Sequence, residues 1–124
     1  MRGPQDVLQE SGRLLLADSY LESFVPLSME LAVITARGAA GQAVFPVAEM
    51  RFDPDANICT SVAFPARCSA AVAAEAVRIA REAADRLDVH GLLAVELFLA
   101  QDGRVLLNEV APRPHNSGHG TIEG

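Results

Sequence analysis

The sequence predicts an α+β fold, a mostly antiparallel sheet carrying one long helix. Three observations lead there. Short apolar or β-branched runs punctuated by Gly, Pro and Asp come first. A single stretch with a clear 3.6-residue apolar period follows, and two further apolar runs joined around an Asp-Gly pair come after it. Strands, one helix, then strands is the order of an α+β domain.

Pro4 to Glu10 reads as a short helix stopped by Ser11-Gly12, and Leu14 to Ala17 with Tyr20-Leu21 as a strand region. Glu30 to Arg37 is β-branched in its middle and ends at Gly38. Gly41 reopens an apolar run, Ala43 to Val47, so Gly38-Ala39-Ala40-Gly41 reads as a hairpin loop. Asp53 to Asn57 is a turn, and Ile58 to Phe64 a third strand ending at Pro65.

The convincing helix runs from about Ala70 to Leu87, with Ser69 as its N-cap. Val72, Ala76, Ile79, Ala83 and Leu87 form its expected apolar face. Glu75, Arg78, Glu82 and Asp85 mark another, with Arg78–Glu82 and Glu82–Arg86 spaced for i,i+4 contact, a solvated surface with no chemistry implied. After His90-Gly91 come two more strands, Leu92 to Leu99 and Arg104 to Ala111, joined by Gln101-Asp102-Gly103.

Composition narrows the function. The 124 residues suffice for one domain, and 50% of them are apolar, so a core is feasible. Net charge is −6, which argues against a binder of nucleic-acid backbones. No apolar run is long enough to span a membrane, and Met1 to Asp6 lacks the apolar stretch of a secretory signal. All ten basic residues are arginine, so any step needing a lysine must borrow one from elsewhere. Cys59 and Cys68 make neither a disulfide framework nor a zinc site.

The last hairpin carries the strongest chemical signal. With Asp102 and Gly103 as a two-residue turn, Gln101 pairs with Arg104, Phe98 with Leu107 and Glu96 with Glu109. Directly opposite side chains have Cβ atoms about 4.5–5.5 Å apart, and like charges there repel. Two carboxylates embedded in apolar strands must share a proton or share a cation. The first is an acid dyad. The second is a hard, oxygen-only set, with Asn108 adjacent, suited to Mg²⁺, which completes its shell with water and phosphates. A register sending one glutamate to solvent is the alternative to both, and a three-residue loop would break the pairing.

Past the strand, Pro112 and Pro114 flank Arg113 and rule out a helix, leaving a guanidinium on a stiff loop where it could hold a carboxylate or phosphate. His115 and His119 are four apart, but Pro114 and Gly118 argue against the helix a zinc pair would need. His115 serves either as a polar or acid/base group near substrate or as a structural hydrogen-bonding histidine.

Three blocks, Glu22 to Glu30, Leu93 to Phe98 and Asn108 to His119, resemble the 5-(carboxyamino)imidazole ribonucleotide synthases, ATP-grasp enzymes of purine biosynthesis. The related formate-dependent glycinamide ribonucleotide transformylases have Asp-Thr-Gly where this chain has Asn116-Ser117-Gly118. The resemblance implies that Glu22, Ser23, Phe24 and Val25 form a hinge strand holding adenine and that Glu30 meets the ribose hydroxyls. It implies Glu96 and Glu109 as Mg²⁺ ligands, with Asn108 and Glu109 in the nucleotide site. Arg113 and His115 would be catalytic, and together with Asn116 would face the ribonucleotide. ATP would phosphorylate bicarbonate, and the product, or CO₂ released from it, would carboxylate the amine of 5-aminoimidazole ribonucleotide.

On this resemblance residues 1–124 are one partial ATP-grasp domain, the C-terminal half of that unit, expected to be a fragment of a longer enzyme. The N-terminal domain, the Gly-rich lid with its phosphate-binding lysine and the C-terminal domain lie outside it. The full-length enzyme is expected to be cytoplasmic and homodimeric. Phe52 stands where such enzymes often carry histidine, and Gly120 where they often carry an aromatic residue. Two other readings stay open: another ATP-grasp ligase such as the transformylase, and a nucleotide-binding module without turnover of its own.

Overall fold

A computed structural model of the chain describes residues 22–53, 55–56 and 58–122. The short helix and strand expected between Pro4 and Leu21 lie outside the described residues. Six strands and one α-helix follow in the order β1 (Leu27–Gly38), β2 (Gly41–Val44), β3 (Ala48–Phe52), β4 (Cys59–Ala63), α1 (Ala70–Arg86), β5 (Gly91–Ala100) and β6 (Val105–Ala111). One antiparallel sheet runs β4-β3-β1-β5-β6, with β2 also paired to β1.

The sheet's two faces differ in what they carry. On one, Leu31, Val33, Leu93, Val95 and Leu97 are fully buried under α1. The helix meets them along Ala76, Ala80 and Ala84, an i,i+4 line of small side chains that lets its backbone approach closely. That line corrects the expected apolar face, for Leu87 is 56% exposed. It is the C-cap, where the chain is already turning away. Ser69 caps the N-terminus, its Oγ accepting from Val72 N at 3.3 Å. Arg78 and Arg86 pair with Glu82, and Arg78 with Glu75, on the solvated side.

The apolar run Ala43 to Val47 is not one strand. β2 ends at Val44, and β3, which the sequence reading passed over, begins at Ala48. Pro46 has no N–H to give the ladder, so pairing along this edge of β1 stops and resumes one residue out of step.

The turn between β5 and β6 also differs from expectation. Asp102 does not take the left-handed backbone that a two-residue turn demands; Gly103 alone does, at φ +87°. Gly103 N donates to Ala100 O at 3.0 Å, and Ala100 N donates to Arg104 O at 2.9 Å, closing a three-residue loop, Gln101 to Gly103. Asp102 is committed elsewhere: its carboxylate accepts from Arg104 N at 3.1 Å and Arg104 Nε at 2.8 Å. Gln101 therefore does not pair with Arg104, and Phe98 faces Leu106 instead of Leu107. The register then shifts by one more residue between Glu96 and Leu97, so Glu96 still faces Glu109. Two offsets cancel.

Because Gly103 sits in the left-handed region, Gly103→Ala is expected to cost about 1–2 kcal/mol of stability. Gly38→Ala, at ordinary φ with open space around a new Cβ, should cost under about 0.5 kcal/mol. Urea unfolding of both variants checks this, and equal losses would count against the loop geometry.

Candidate functional site

The face of the sheet turned away from α1 is lined by alternate residues of β1 and β5. Glu30 pairs with Phe98, Ala32 with Glu96, and Ile34 with Ala94. β6 adds Glu109 beside Glu96. Period-2 alternation forces this: with Val95 and Leu97 committed to the core, Glu96 must point the other way. Hence one face stores the larger apolar core, and the other carries the carboxylates beside a smaller apolar cluster of Ala32, Ala48 and Met50.

Residues 112–122 fold back over that second face. The chain bends at Pro112–Arg113, where Arg113 N donates to Ala111 O at 2.9 Å, and then enters a 3₁₀ turn over Asn116–Thr121. His115 thereby reaches Glu96, with Nε2 2.9 Å from Oε1 and both side chains only 13% exposed. On its other edge His115 Nδ1 lies 2.9 Å from Ser117 Oγ and accepts from Ser117 N at 3.3 Å. Beyond them a cleft of about 460 Å³ opens, floored by Ile34 and Leu92 and walled by Arg113, His115, Asn116 and His119.

The electrostatics follow from this crowding. Burial holds the Glu96 carboxyl above its ordinary range; His115 and Arg113 draw it back down, while Glu109 pushes it up. Burial also raises Glu30, and the charge of Glu96 adds to the rise. Glu96 and Glu30 thus carry negative charge where water solvates it poorly, while Glu109 opposite Glu96 is exposed.

The structure gathers Glu30, Glu96, Glu109, Arg113 and His115 on one side of the sheet. Asn108 sits exposed at the register shift next to Glu109. Asn116 lines the cleft. Glu22, Ser23, Phe24 and Val25 precede β1 without sheet pairing, at the end where Leu27 meets Ala100, and Phe24 is 83% exposed. Each ring nitrogen of His115 has a protein partner, and the side chain also lines the cleft. Sequence reasoning gave Ser117 no role; its position two residues after a histidine that caps a turn was the available signal.

The donor set also bears on a metal. Among the described residues no cluster of three or more His, Cys, Asp or Glu is arranged to hold one. Two facing carboxylates fall below that count, yet they suit Mg²⁺, which takes one or two carboxylates and fills its shell with water and phosphate oxygens. Glu96 is largely covered while Glu109 is exposed to solvent, so one carboxylate of the facing pair does reach water; the pairing of like charges is the observation that fits a cation, since a cation removes the repulsion.

The ATP-grasp domain profile matches residues 3–124. The chain belongs to the ATP-grasp family. Among curated relatives of this ATP-grasp chain, the chloroplastic phosphoribosylaminoimidazole carboxylase of Vigna aconitifolia is 47% identical over 105 residues, 84% of this chain and 18% of that protein. The N5-carboxyaminoimidazole ribonucleotide synthase of Bacillus subtilis is 45% identical over 104 residues, 83% of this chain and 27% of that one. A crystal structure of N5-carboxyaminoimidazole synthase from Aspergillus clavatus, in complex with ADP and 5-aminoimidazole ribonucleotide, superposes with a TM-score of 0.83 at 38% identity. That match covers 97% of this chain and 32% of the solved one. The ATP-grasp chain therefore spans about a fifth to a third of the relatives it matches.

A carboxyl raised by folding binds more protons in the folded than in the unfolded chain between its two pKa values. Stability falls as pH climbs through that window, and the full cost stands above it. Glu30→Gln is accordingly expected to raise the urea midpoint near pH 7 and to change it little near pH 3.5. An equal gain at both would show that Glu30 carries no such cost.

Proposed function

We propose that this chain supplies the metal- and nucleotide-binding side of an ATP-dependent ligase that carboxylates 5-aminoimidazole ribonucleotide with bicarbonate. The observation that carries the reading is the facing pair Glu96–Glu109, with Glu30 beside it and the Arg113–Asn116 loop next to it on the same side of the sheet. Support also comes from relatives whose names specify this synthase, and from a solved one holding ADP and the ribonucleotide.

In this reading Glu22 to Val25 hold the adenine, Glu30 the ribose hydroxyls, and Glu96 and Glu109, with Asn108 beside them, the Mg²⁺ and phosphates. Mg²⁺ would supply neutralisation of phosphate charge so that two anions can approach. Arg113 holds an anionic substrate group from a loop stiffened by two prolines. His115 keeps one oxygen of Glu96 engaged, and Asn116 meets the ribonucleotide in the cleft. The chain acts as one partial domain. Because it contains no lysine, an ammonium on the phosphates must come from outside these 124 residues.

No helix among the described residues is long and apolar enough to cross a membrane. We place the reaction in the cytoplasm, in a homodimer of the longer enzyme.

Calorimetry tests the site. The 124-residue chain should bind ADP more tightly with Mg²⁺ than without, and Glu96→Ala should erase that difference; an undiminished difference would remove Glu96 from the cation site. In a full-length enzyme carrying this segment, Glu109→Gln should lower turnover roughly 100-fold or more at saturating Mg²⁺, and unchanged turnover would contradict its role. The 124 residues alone should not turn over ATP with aminoimidazole ribonucleotide, and ribonucleotide-dependent phosphate release would refute this.

A further inference from the structure

A neutral imidazole carries one N–H, and either nitrogen can hold it. For His115 the choice matters, because Nε2 lies 2.9 Å from a carboxylate oxygen of Glu96. A proton on Nε2 makes a charge-assisted hydrogen bond there. A proton on Nδ1 instead sets a lone pair against that oxygen.

Ser117 is fully buried, so its hydroxyl has no water to turn to. That oxygen lies 2.9 Å from His115 Nδ1. Its amide, at the first turn of the 3₁₀ segment where amides lack intrahelical partners, donates to the same nitrogen at 3.3 Å. An amide N–H can only donate, so Nδ1 carries the lone pair and Nε2 the proton. The turn that carries this amide is closed by contacts of its own: Thr121 Oγ1 donates to Gly118 O at 2.7 Å, and Gly118 N donates to His115 O at 2.9 Å.

We infer that Ser117 is a positioning residue whose hydroxyl, added to its amide on Nδ1, locks His115 in the Nε2–H tautomer and so keeps its donor on Glu96. The chain of contacts runs Ser117, His115, Glu96, and Glu96 faces Glu109. One oxygen of Glu96 is thereby tied to His115, and the carboxylate plane is set before any ligand arrives. Partners one step behind a ligating carboxylate orient it in this way. A purely capping Ser117–His115 contact would stabilise the turn and leave Glu96 indifferent to Ser117.

The inference deepens the proposed cation site and rests on that reading of Glu96 for its purpose. The tautomer itself is read with neither metal nor nucleotide, so failure here is separate from failure of the calorimetry. Two-bond ¹H–¹⁵N correlation spectra of the histidine-labelled 124-residue chain, at a pH where imidazole is neutral, should show His115 as one tautomer, Nε2 protonated. His119, exposed, serves as the reference. Ser117→Ala should raise the Nδ1–H population roughly two- to tenfold, the weight of one hydrogen bond, and should shift the Glu96 carboxyl ¹³C resonance. Ser117→Thr, which keeps the hydroxyl, should restore both. A wild-type His115 protonated mainly on Nδ1 overturns the inference without any variant, and so does a Ser117→Ala spectrum unchanged at His115 and Glu96.

Discussion

Glu96 and Glu109 sit across one rung of an antiparallel ladder, and the folded chain keeps them there against their mutual repulsion. Burial raises Glu96, and it is Glu96 in turn that adds to the rise of Glu30. A sequence selected for stability alone would set an apolar or neutral side chain at one of these positions. Retaining all three marks the face as a place where charge is kept ready for a partner, and perturbed carboxyls at functional sites follow the same logic. The opposite face has no such tension. It is filled by Leu, Val and the alanine line of α1, and it supplies the rigidity that holds the carboxylates in register.

How that register arises is also the clearest measure of what the sequence made legible. The Glu96–Glu109 pair follows from counting back through Asp102-Gly103, and the pair is there. The count, however, used a two-residue turn, and the loop has three. An Asp-Gly pair serves both, because either loop needs a left-handed glycine, and only the commitment of the Asp102 carboxylate to Arg104 decides between them. The compensating shift beside Asn108 has no sequence signature at all. Val105-Leu106-Leu107 is an unbroken apolar run, so no alternation reveals where a residue is skipped.

Elsewhere legibility tracked how local the physics was. The helix and its Ser69 cap were readable because cap, period and i,i+4 charge pairs all lie within a few residues of one another. β3 was readable in principle: Ala48-Glu49-Met50-Arg51-Phe52 alternates strictly, and Pro46 marks the break before it. Its two charged residues suit a solvated turn as well as a strand, but Glu49 is buried and paired with Arg51 at 3.0 Å. Of the site, the carboxylates and the Arg113-to-Asn116 loop could be named from the chain. The return of that loop to Glu96 could not, because it depends on where a segment lands some twenty residues away.

That return decides what kind of site this is. A row of carboxylates on an open sheet face would be solvated and interchangeable, each free to rotate. Laying residues 112–122 over the face buries Glu96 and His115 to 13% exposure, and it builds the cleft's wall from the same segment. The bend at Pro112–Arg113 turns the segment back, and the 3₁₀ turn then lies against β1, with Ile34 in the cleft they share. The loop therefore does two things at once: it restricts the Glu96 carboxylate, and it lines the cleft with Arg113 and Asn116. With both tasks on one segment, the metal end and the acceptor end of the proposed site would lie at a separation set by the fold, as transfer between two anionic substrates would require.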